Sequence, residues 1–328
     1  MRRYLITGGL GALGAPLVRT LLLAGHNVRV FDNCSRGSLR RLIDIRKDLE
    51  IINGDIRDSE AVSRAIDGVD AVCHLAYVNG TEHFYTKPAL VLEVGVKGMI
   101  NVLDGCVRKG VGELVLASSS EVYQTPPTLP TDERVPLSIP DPFNPRFSYG
   151  GGKIISELLA INYGRQYFDR VLIFRPHNVF GPDMGSDHIL PQLIVRLRSL
   201  IATAKGAEIP FPIQGTGEQT RAFVYIDDLI AGVMVMMEKG QNLNVYNIGT
   251  TEELKISDVA YRVAKYFGAR IRIVPGSPAE GGALRRCPDI RKLQALGYQP
   301  RFTFNEGLAP TIGWYLAHES TANEADFS

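Results

Sequence analysis

Tyr149 and Lys153 stand four residues apart, separated by Gly150, Gly151 and Gly152, and a serine run, Ser118-Ser119-Ser120, closes an apolar stretch upstream. On a helix the side chains at i and i+4 share one face, so this phenol and this ammonium can serve the same atom. A neighbouring cation favours the phenolate, which can then take the proton of an alcohol. A serine hydroxyl at the end of an adjacent strand can orient that alcohol while its C–H hydride passes to a nicotinamide. Tyr-x-x-x-Lys pairs also arise by chance on exposed helices. The three intervening glycines speak against chance, because each costs about 1 kcal/mol relative to alanine in a helix interior. Close approach of backbone or ligand is a reason to keep them.

The hydride acceptor has its own signature. Gly8, Gly11 and Gly14 follow the apolar run Tyr4-Leu5-Ile6 and open a helical stretch, with the spacing G-x-x-G-x-x-G. Such a turn brings bare backbone N–H groups to a pyrophosphate at a helix N-terminus. Asp32 ends the second apolar run, 18 residues after Gly14, where a carboxylate accepts from ribose hydroxyls. A carboxylate there repels a 2′-phosphate and so selects NAD over NADP. Arg36, Arg40 and Arg41 either weaken that preference or form a solvated basic face. Asp55 ends the third run, beside the expected adenine.

The elements that must position these groups alternate. Strands are predicted at about 3–7, 27–32, 49–54, 70–76, 113–118 and 170–175, and helices at about 12–24, 58–66, 88–108 and 149–168. That alternation predicts an α/β fold with a Rossmann-like doubly wound parallel sheet and a smaller C-terminal α/β substrate lobe. Residues 1–175 form the dinucleotide-binding domain, segments near 220–245 return to it, 176–316 form the substrate lobe, and 317–328 are a polar, frayed tail. Residues 124–147 contain seven prolines and read as a long functional loop. Asp227 and Asp228 read as caps of a helix over 229–238. His177 and His188 have no ligand companions and read as structural or substrate-adjacent, so no metal is expected.

The 328 residues are 45% hydrophobic and carry a formal net charge of +1, which points to neither nucleic acid nor an anionic membrane as partner. The apolar stretch after Arg2-Arg3 is too short for a signal segment, and none suffices for a membrane span. Cys34, Cys73, Cys106 and Cys287 are widely spaced and read as free thiols of a cytoplasmic protein.

From Thr7 to about Gly307 the chain resembles an extended short-chain dehydrogenase/reductase of the NAD-dependent nucleotide-sugar epimerase/dehydratase type. The resemblance rests on Thr7-Gly8-x-x-Gly11-x-x-Gly14, His74-Leu75-Ala76, Ser118-Ser119-Ser120-Glu121-Val122-Tyr123 and Tyr149-x-x-x-Lys153. It continues through Arg175-Pro176-His177-Asn178-Val179-Phe180-Gly181-Pro182, Gly215-x-Gly217-x-Gln219-Thr220-Arg221-x-Phe223-x-Tyr225 and Arg286-x-Pro288-Asp289-Ile290. It implies Ser119, Tyr149, Lys153 and Glu121 as catalytic residues. NAD is expected on Gly8, Gly11, Leu13, Gly14, Asp32, Asn33, Asp55, Ile56, Leu75, Ala76, Tyr149, Lys153 and Pro176. A nucleotide-diphosphate sugar is expected on Ser120, Asn178 and Arg221, with Arg285 or, preferred, Arg286 as a further phosphate ligand.

All branches of that family begin with a 4-keto sugar and NADH, then epimerise, dehydrate or decarboxylate. Glu121, a carboxylate beside the catalytic serine, fits an added acid or base, as in dehydratases and decarboxylases. Ser120, standing where hexose 4,6-dehydratases carry an acidic residue, lowers that reading. Gly95 replaces an asparagine of the family that helps organise water and helix geometry near the lysine. Helices 88–108 and 149–168 resemble the family's homodimer surface, although their apolar faces could equally be monomer core. The leading expectation is an epimerase/dehydratase, with a UDP-glucuronate-type decarboxylase as alternative. A simple NAD-dependent alcohol dehydrogenase has no need of a diphosphate clamp, and a non-catalytic dinucleotide sensor none of an intact Tyr/Lys/Ser set. Residues 77–87 are expected to face the sugar.

Overall fold

The computed structural model describes residues 1–185, 188–204, 206–278 and 281–318. The predicted frayed tail lies outside these residues except at its first two positions. Six strands, β1 (Arg3–Thr7), β2 (Asn27–Asp32), β3 (Glu50–Asn53), β4 (Ala71–His74), β5 (Glu113–Ala117) and β6 (Arg170–Pro176), pair in the order 6-5-4-1-2-3, all parallel. A seventh strand, Asn244–Ile248, joins the same sheet beside β6, also parallel.

The sheet is covered on both faces, which is why its central strands are rich in apolar residues; all five residues of β5, Glu113 included, are buried. Successive residues of β1 feed opposite cores, Leu5 one and Ile6 the other. The helix Gly14–Leu23 buries Leu17, Val18 and Leu21 against the core that Ile6 enters. Because β1 lies between β2 and β4, the chain leaves it toward both sides, and the crevice at its carboxyl end is where a doubly wound sheet offers a ligand site.

Several elements depart from expectation. The predicted helix over 88–108 is two α-helical pieces, Pro88–Leu92 and Gly98–Lys109, joined by a π-helical turn at Glu93–Lys97. Within 77–87, residues Thr81–Thr86 form a short helix. Asp227 and Asp228 lie inside the first turn of Ile226–Lys239, whose N-cap is Tyr225. The fully buried Asp228 carboxylate accepts instead from the backbone N–H groups of Arg301 and Phe302, both at 2.9 Å. Arg40 and Arg41 are no solvated face: both donate to Asp183, and Arg41 also donates to Leu10 O at 2.9 Å, tying the glycine turn to the chain beyond β6. In the proline-rich loop, Thr131 N donates to Cys287 O at 2.9 Å and Asp289 N to Thr131 O at 2.8 Å, pinning the loop to the segment that carries Arg286.

One buried polar network joins these parts. Arg175, at the end of β6, grips Glu157 of the helix Phe147–Tyr167 through Nε at 2.8 Å and Nη2 at 2.6 Å. Ser118 Oγ donates to the same carboxylate, and Arg175 Nη1 donates to Tyr123 Oη at 2.7 Å. Tyr123 Oη donates to Asn247 Oδ1 at 2.8 Å, and Asn247 Nδ2 donates to Thr131 O and Asp289 O. Replacing Glu157 by leucine would leave Arg175 charged and buried without its partner. Chemical denaturation should report a loss of about 3–5 kcal/mol, whereas an exposed ion pair such as Lys255–Glu218 should cost less than about 1 kcal/mol when broken.

Candidate active site

Apart from Arg285, every residue assigned to catalysis, NAD or substrate from the sequence lines one continuous cavity of about 1430 Å³ at the carboxyl ends of the parallel strands. At one end lies the glycine turn. Gly8 adopts φ +72°, Gly11 N donates to Gly8 O at 3.0 Å, and a Cβ at Gly8 would stand 2.8 Å from Ala76 N. A Cβ at Gly14 would stand 2.7 Å from Gly9 Cα, so the turn closes only without side chains. Its backbone then lies bare beside the N-terminus of Gly14–Leu23, a setting that suits an anion such as a pyrophosphate.

Asp32 follows at the tip of β2, its carboxylate accepting from Leu10 N at 3.0 Å and Cys34 N at 2.9 Å. Burial raises its pKa, opposed by those two N–H groups and by Arg41. Asn33 Nδ2 donates to Asp55 Oδ2 at 3.0 Å, and Arg57 holds Asp55 well below the ordinary range, at about 2. Ile56, Leu75, Ala76 and Pro176 line the cavity between these residues and the tyrosine. The cradle, the strand-end carboxylate and the apolar walls fit a dinucleotide.

At the centre, Tyr149 and Lys153 are buried on the helix Phe147–Tyr167. Lys153 Nζ donates to Ala117 O at 2.6 Å and stands 5.8 Å from the Tyr149 ring centroid. Burial lowers Lys153 to about 7, partly offset by Glu157 one turn on. Burial raises Tyr149 to about 12, opposed chiefly by a hydrogen bond with Ser119. Ser119 also caps the turn Ser120–Tyr123, accepting from Glu121 N at 3.1 Å. Ser118, by contrast, is committed to Glu157, so the middle serine of the run is the one beside the phenol.

The glycines between Tyr149 and Lys153 each meet a neighbour. A Cβ at Gly150 would overlap Gln124 Nε2 and lie 3.0 Å from Glu121 O, and one at Gly151 would lie 3.1 Å from Ile139 of the proline-rich loop. A Cβ at Gly152 would overlap Tyr77 Oη. Each glycine is thus in close contact with a neighbour, and the tightest fixed one is the buried Tyr77 hydroxyl at Gly152.

Beyond Tyr149 the cavity is cationic. Glu121 and Arg286 form a two-pronged ion pair, with Arg146 at 3.9 Å from the same carboxylate. Burial would raise Glu121, but Arg286, then Arg146 and Arg221, outweigh it and hold the carboxyl at about 2. Arg221 is anchored by Nη1 on Thr220 O at 2.7 Å and Nη2 on Ala283 O at 2.8 Å; burial and then Arg286 lower it to about 10. Asn178, at φ +40°, donates to Ala222 O at 3.1 Å, and Ser120 lies in the cavity wall. Of the two arginine candidates, Arg286 faces the cavity, while Arg285 is exposed and paired with Glu253. The sequence assigns no role to Arg146 and places Tyr77 only in the stretch expected to face the sugar, whereas Tyr77 packs on Lys153 and Tyr149. Arg146, three residues before Tyr149, could have been found by carrying the i, i+3 relation back from the tyrosine.

Residues 4–249 match the model of the NAD dependent epimerase/dehydratase family. Over 325 residues the chain is 32% identical to UDP-glucuronic acid decarboxylase 1 of Xenopus tropicalis, covering 97% of this chain and 74% of that protein. The dTDP-glucose 4,6-dehydratase DesIV of Streptomyces venezuelae, solved with NAD and TYD bound, superposes with a TM-score of 0.87 at 29% identity, covering 99% of this chain and 100% of that one. The UDP-glucose 4-epimerase of Thermotoga maritima, solved with UDP-glucose, gives 0.85 at 26% identity, covering 97% and 100%.

The Glu121 pair has a definite pH signature. Its folded carboxyl lies at about 2, below the ordinary 4.5, so its contribution to stability is complete above about 4.5 and is lost as pH falls toward 2. The stability difference between the wild type and Glu121→Gln, measured by urea unfolding, should therefore be flat from neutrality to about pH 5 and shrink below it.

Proposed function

The chain belongs to the NAD dependent epimerase/dehydratase family, and from that premise we propose that it is an NAD-dependent nucleotide-sugar epimerase/dehydratase acting through transient oxidation at C4 of the sugar. The observation that carries the reading is the convergence of three sets of groups on one cavity: the glycine cradle with Asp32, Tyr149 with Lys153 and Ser119, and Arg221 with Arg286. Gly8, Gly11, Leu13 and Gly14 would hold the pyrophosphate of NAD. Asp32 and Asn33 would hold its adenosine ribose, Asp55 and Ile56 would border its adenine, and Leu75, Ala76 and Pro176 would line its path to the tyrosine. When bound, the oxidised nicotinamide supplies the hydride acceptor and a positive charge that draws the Tyr149 phenol down from about 12.

In this mechanism Ser119 orients the C4 hydroxyl, Tyr149 takes its proton, and the Lys153 ammonium stabilises the phenolate. Asn178, Arg221 and Arg286 take the diphosphate and sugar, with Ser120 in the sugar wall. Residues 176–316, apart from the strand returning to the sheet, act as the substrate lobe. Glu121, held ionised, is unsuited to donate a proton while Arg286 grips it, and becomes a base only when substrate claims that arginine.

A second reading, a uronate decarboxylase, is favoured by one feature. Arg146, Arg221 and Arg286 all bear on the single Glu121 carboxylate, leaving cationic surplus for a diphosphate and a sugar carboxylate together. We also propose a homodimer through the two long helices, whose outer faces leave Leu92, Ile155, Leu158 and Tyr167 exposed. We place the protein in the cytoplasm, where its four free thiols would persist. Among the described residues no helix is long and apolar enough to cross a membrane.

The test is mass spectrometry of products after incubation with NAD and a panel of UDP-, GDP-, CDP- and dTDP-sugars that includes UDP-glucuronate. An isomer of unchanged mass means epimerisation, loss of water dehydration, and loss of CO2 the decarboxylase. Tyr149→Phe should lower kcat by about 10²–10⁴ while leaving NAD affinity, read by fluorescence titration, within about threefold. Full activity in that variant would remove the mechanism.

A further inference from the structure

The wall behind Lys153 contains a side chain that the mechanism above does not use. Tyr77 leaves the end of β4 and lays its ring under the Lys153 ammonium, with Nζ 3.9 Å from the ring centroid. The same ring meets Tyr149 edge-on, centroids 5.1 Å apart at 81°, and Tyr149 is stacked from its other side by Phe84 at 4.7 Å. The Tyr77 hydroxyl is buried and has no hydrogen-bond partner among the described residues. It occupies a slot cut by two glycines from different elements: a Cβ at Gly95, in the π-helical turn, or at Gly152 would overlap it. The π turn and the Lys153 helix are further joined there by Ser156 Oγ donating to Gly95 O at 3.3 Å and to Gly152 O at 2.9 Å.

We propose that Tyr77 is a positioning residue for Lys153, its ring holding the ammonium toward Tyr149 and its hydroxyl filling the Gly95–Gly152 slot so that no other group enters behind the lysine. The proposal rests on the reading of Lys153 as the cation that serves Tyr149. An ammonium at this distance over an aromatic face is attracted by the ring quadrupole, most strongly where water is excluded. The titratable groups facing Lys153 are Tyr149 and Glu157 on its own helix, Tyr77, and His74 from β4. His74 is held neutral, lowered to about 3 by burial and then by Lys153, so the ring and Glu157 are the groups left to favour the charged lysine. The ring arrangement also accounts for glycine at 95 and 152 in one stroke: both positions are emptied for one hydroxyl.

The slot makes the proposal testable by rescue. Gly152→Ala places a methyl group on Tyr77 Oη, whereas the next ring atom, Cζ, lies 3.5 Å away. With whichever of UDP-glucose, UDP-glucuronate or dTDP-glucose the wild type converts, Gly152→Ala should lower kcat by about tenfold or more with KM within about threefold. Adding Tyr77→Phe removes the clashing oxygen and should restore most of that loss. Gly95→Ala should resist the same rescue, because its methyl also overlaps Cζ and stands 2.6 Å from Cε2.

A second arm needs no turnover. The pH dependence of Lys153 acetylation by acetic anhydride, read by peptide mass spectrometry, should have a midpoint about one pH unit lower in Tyr77→Leu than in the wild type, since the ring favours the ammonium. Tyr77→Phe, which keeps the ring, should shift it far less. An unmoved midpoint in Tyr77→Leu, or failure of Tyr77→Phe to rescue Gly152→Ala, would overturn the assignment. Should Tyr149→Phe stay active while the acetylation result holds, the catalytic reading falls and the Tyr77–Lys153 contact stands.

Discussion

The Glu157–Arg175 ion pair is the constraint on which the site geometry depends. It sits one helical turn beyond Lys153, so whatever fixes Glu157 fixes the rotation and height of the helix that carries Tyr149 and Lys153. Arg175 extends the tie through Tyr123 and Asn247 to the proline-rich loop, and that loop pairs with the segment bearing Arg286. Replacing such a pair with apolar residues of similar volume can be energetically neutral, so its value here lies in geometry. Apolar packing would let the helix, the strand ends and the loop slide, whereas two-pronged hydrogen bonds permit one arrangement.

Desolvation governs the charges above that base. Burial drives Lys153 down toward neutrality and the Tyr149 phenol up, both away from the ammonium–phenolate pair that the proposed proton transfer uses. The surroundings work against this with few groups: Glu157 behind the lysine, Ser119 beside the phenol, and the Tyr77 ring between. Lys153, at about 7, is only partly charged near neutrality and the phenol stays protonated, so added positive charge near Tyr149 favours the phenolate. At the far end the balance is reversed. Three guanidinium groups surround one carboxylate, an arrangement that welcomes an anionic substrate and holds Glu121 ionised meanwhile.

Much of this was legible in the sequence for local reasons. Strand–glycine turn–helix order, the carboxylate ending β2 and the alternation of apolar runs are properties of short segments, and each appears where its residues predict it. Tyr149 and Lys153 share a face because helix geometry alone guarantees it. The failures came from partners distant in sequence. Asp228 has the composition of a cap, but a fully buried carboxylate bonds whatever N–H groups face it, and those belong to residues 301 and 302. Arg40 and Arg41 read as solvated because their partner, Asp183, lies more than a hundred residues away.

The chain by itself determined the fold class, the glycine cradle and the shared face of Tyr149 and Lys153, because periodicity, turn chemistry and i, i+4 spacing act within a few residues. The resemblance already pointed to Ser119 and Arg286, but only the tertiary structure decided that Ser118 is committed to Glu157, that Arg285 pairs with Glu253 outside the cavity, and that Glu121 is paired rather than free. It also decided why residues 95 and 152 are glycine: two elements from different parts of the chain converge on one tyrosine hydroxyl. Contacts of that kind depend on where separate elements come to rest, and no segment carries that information alone.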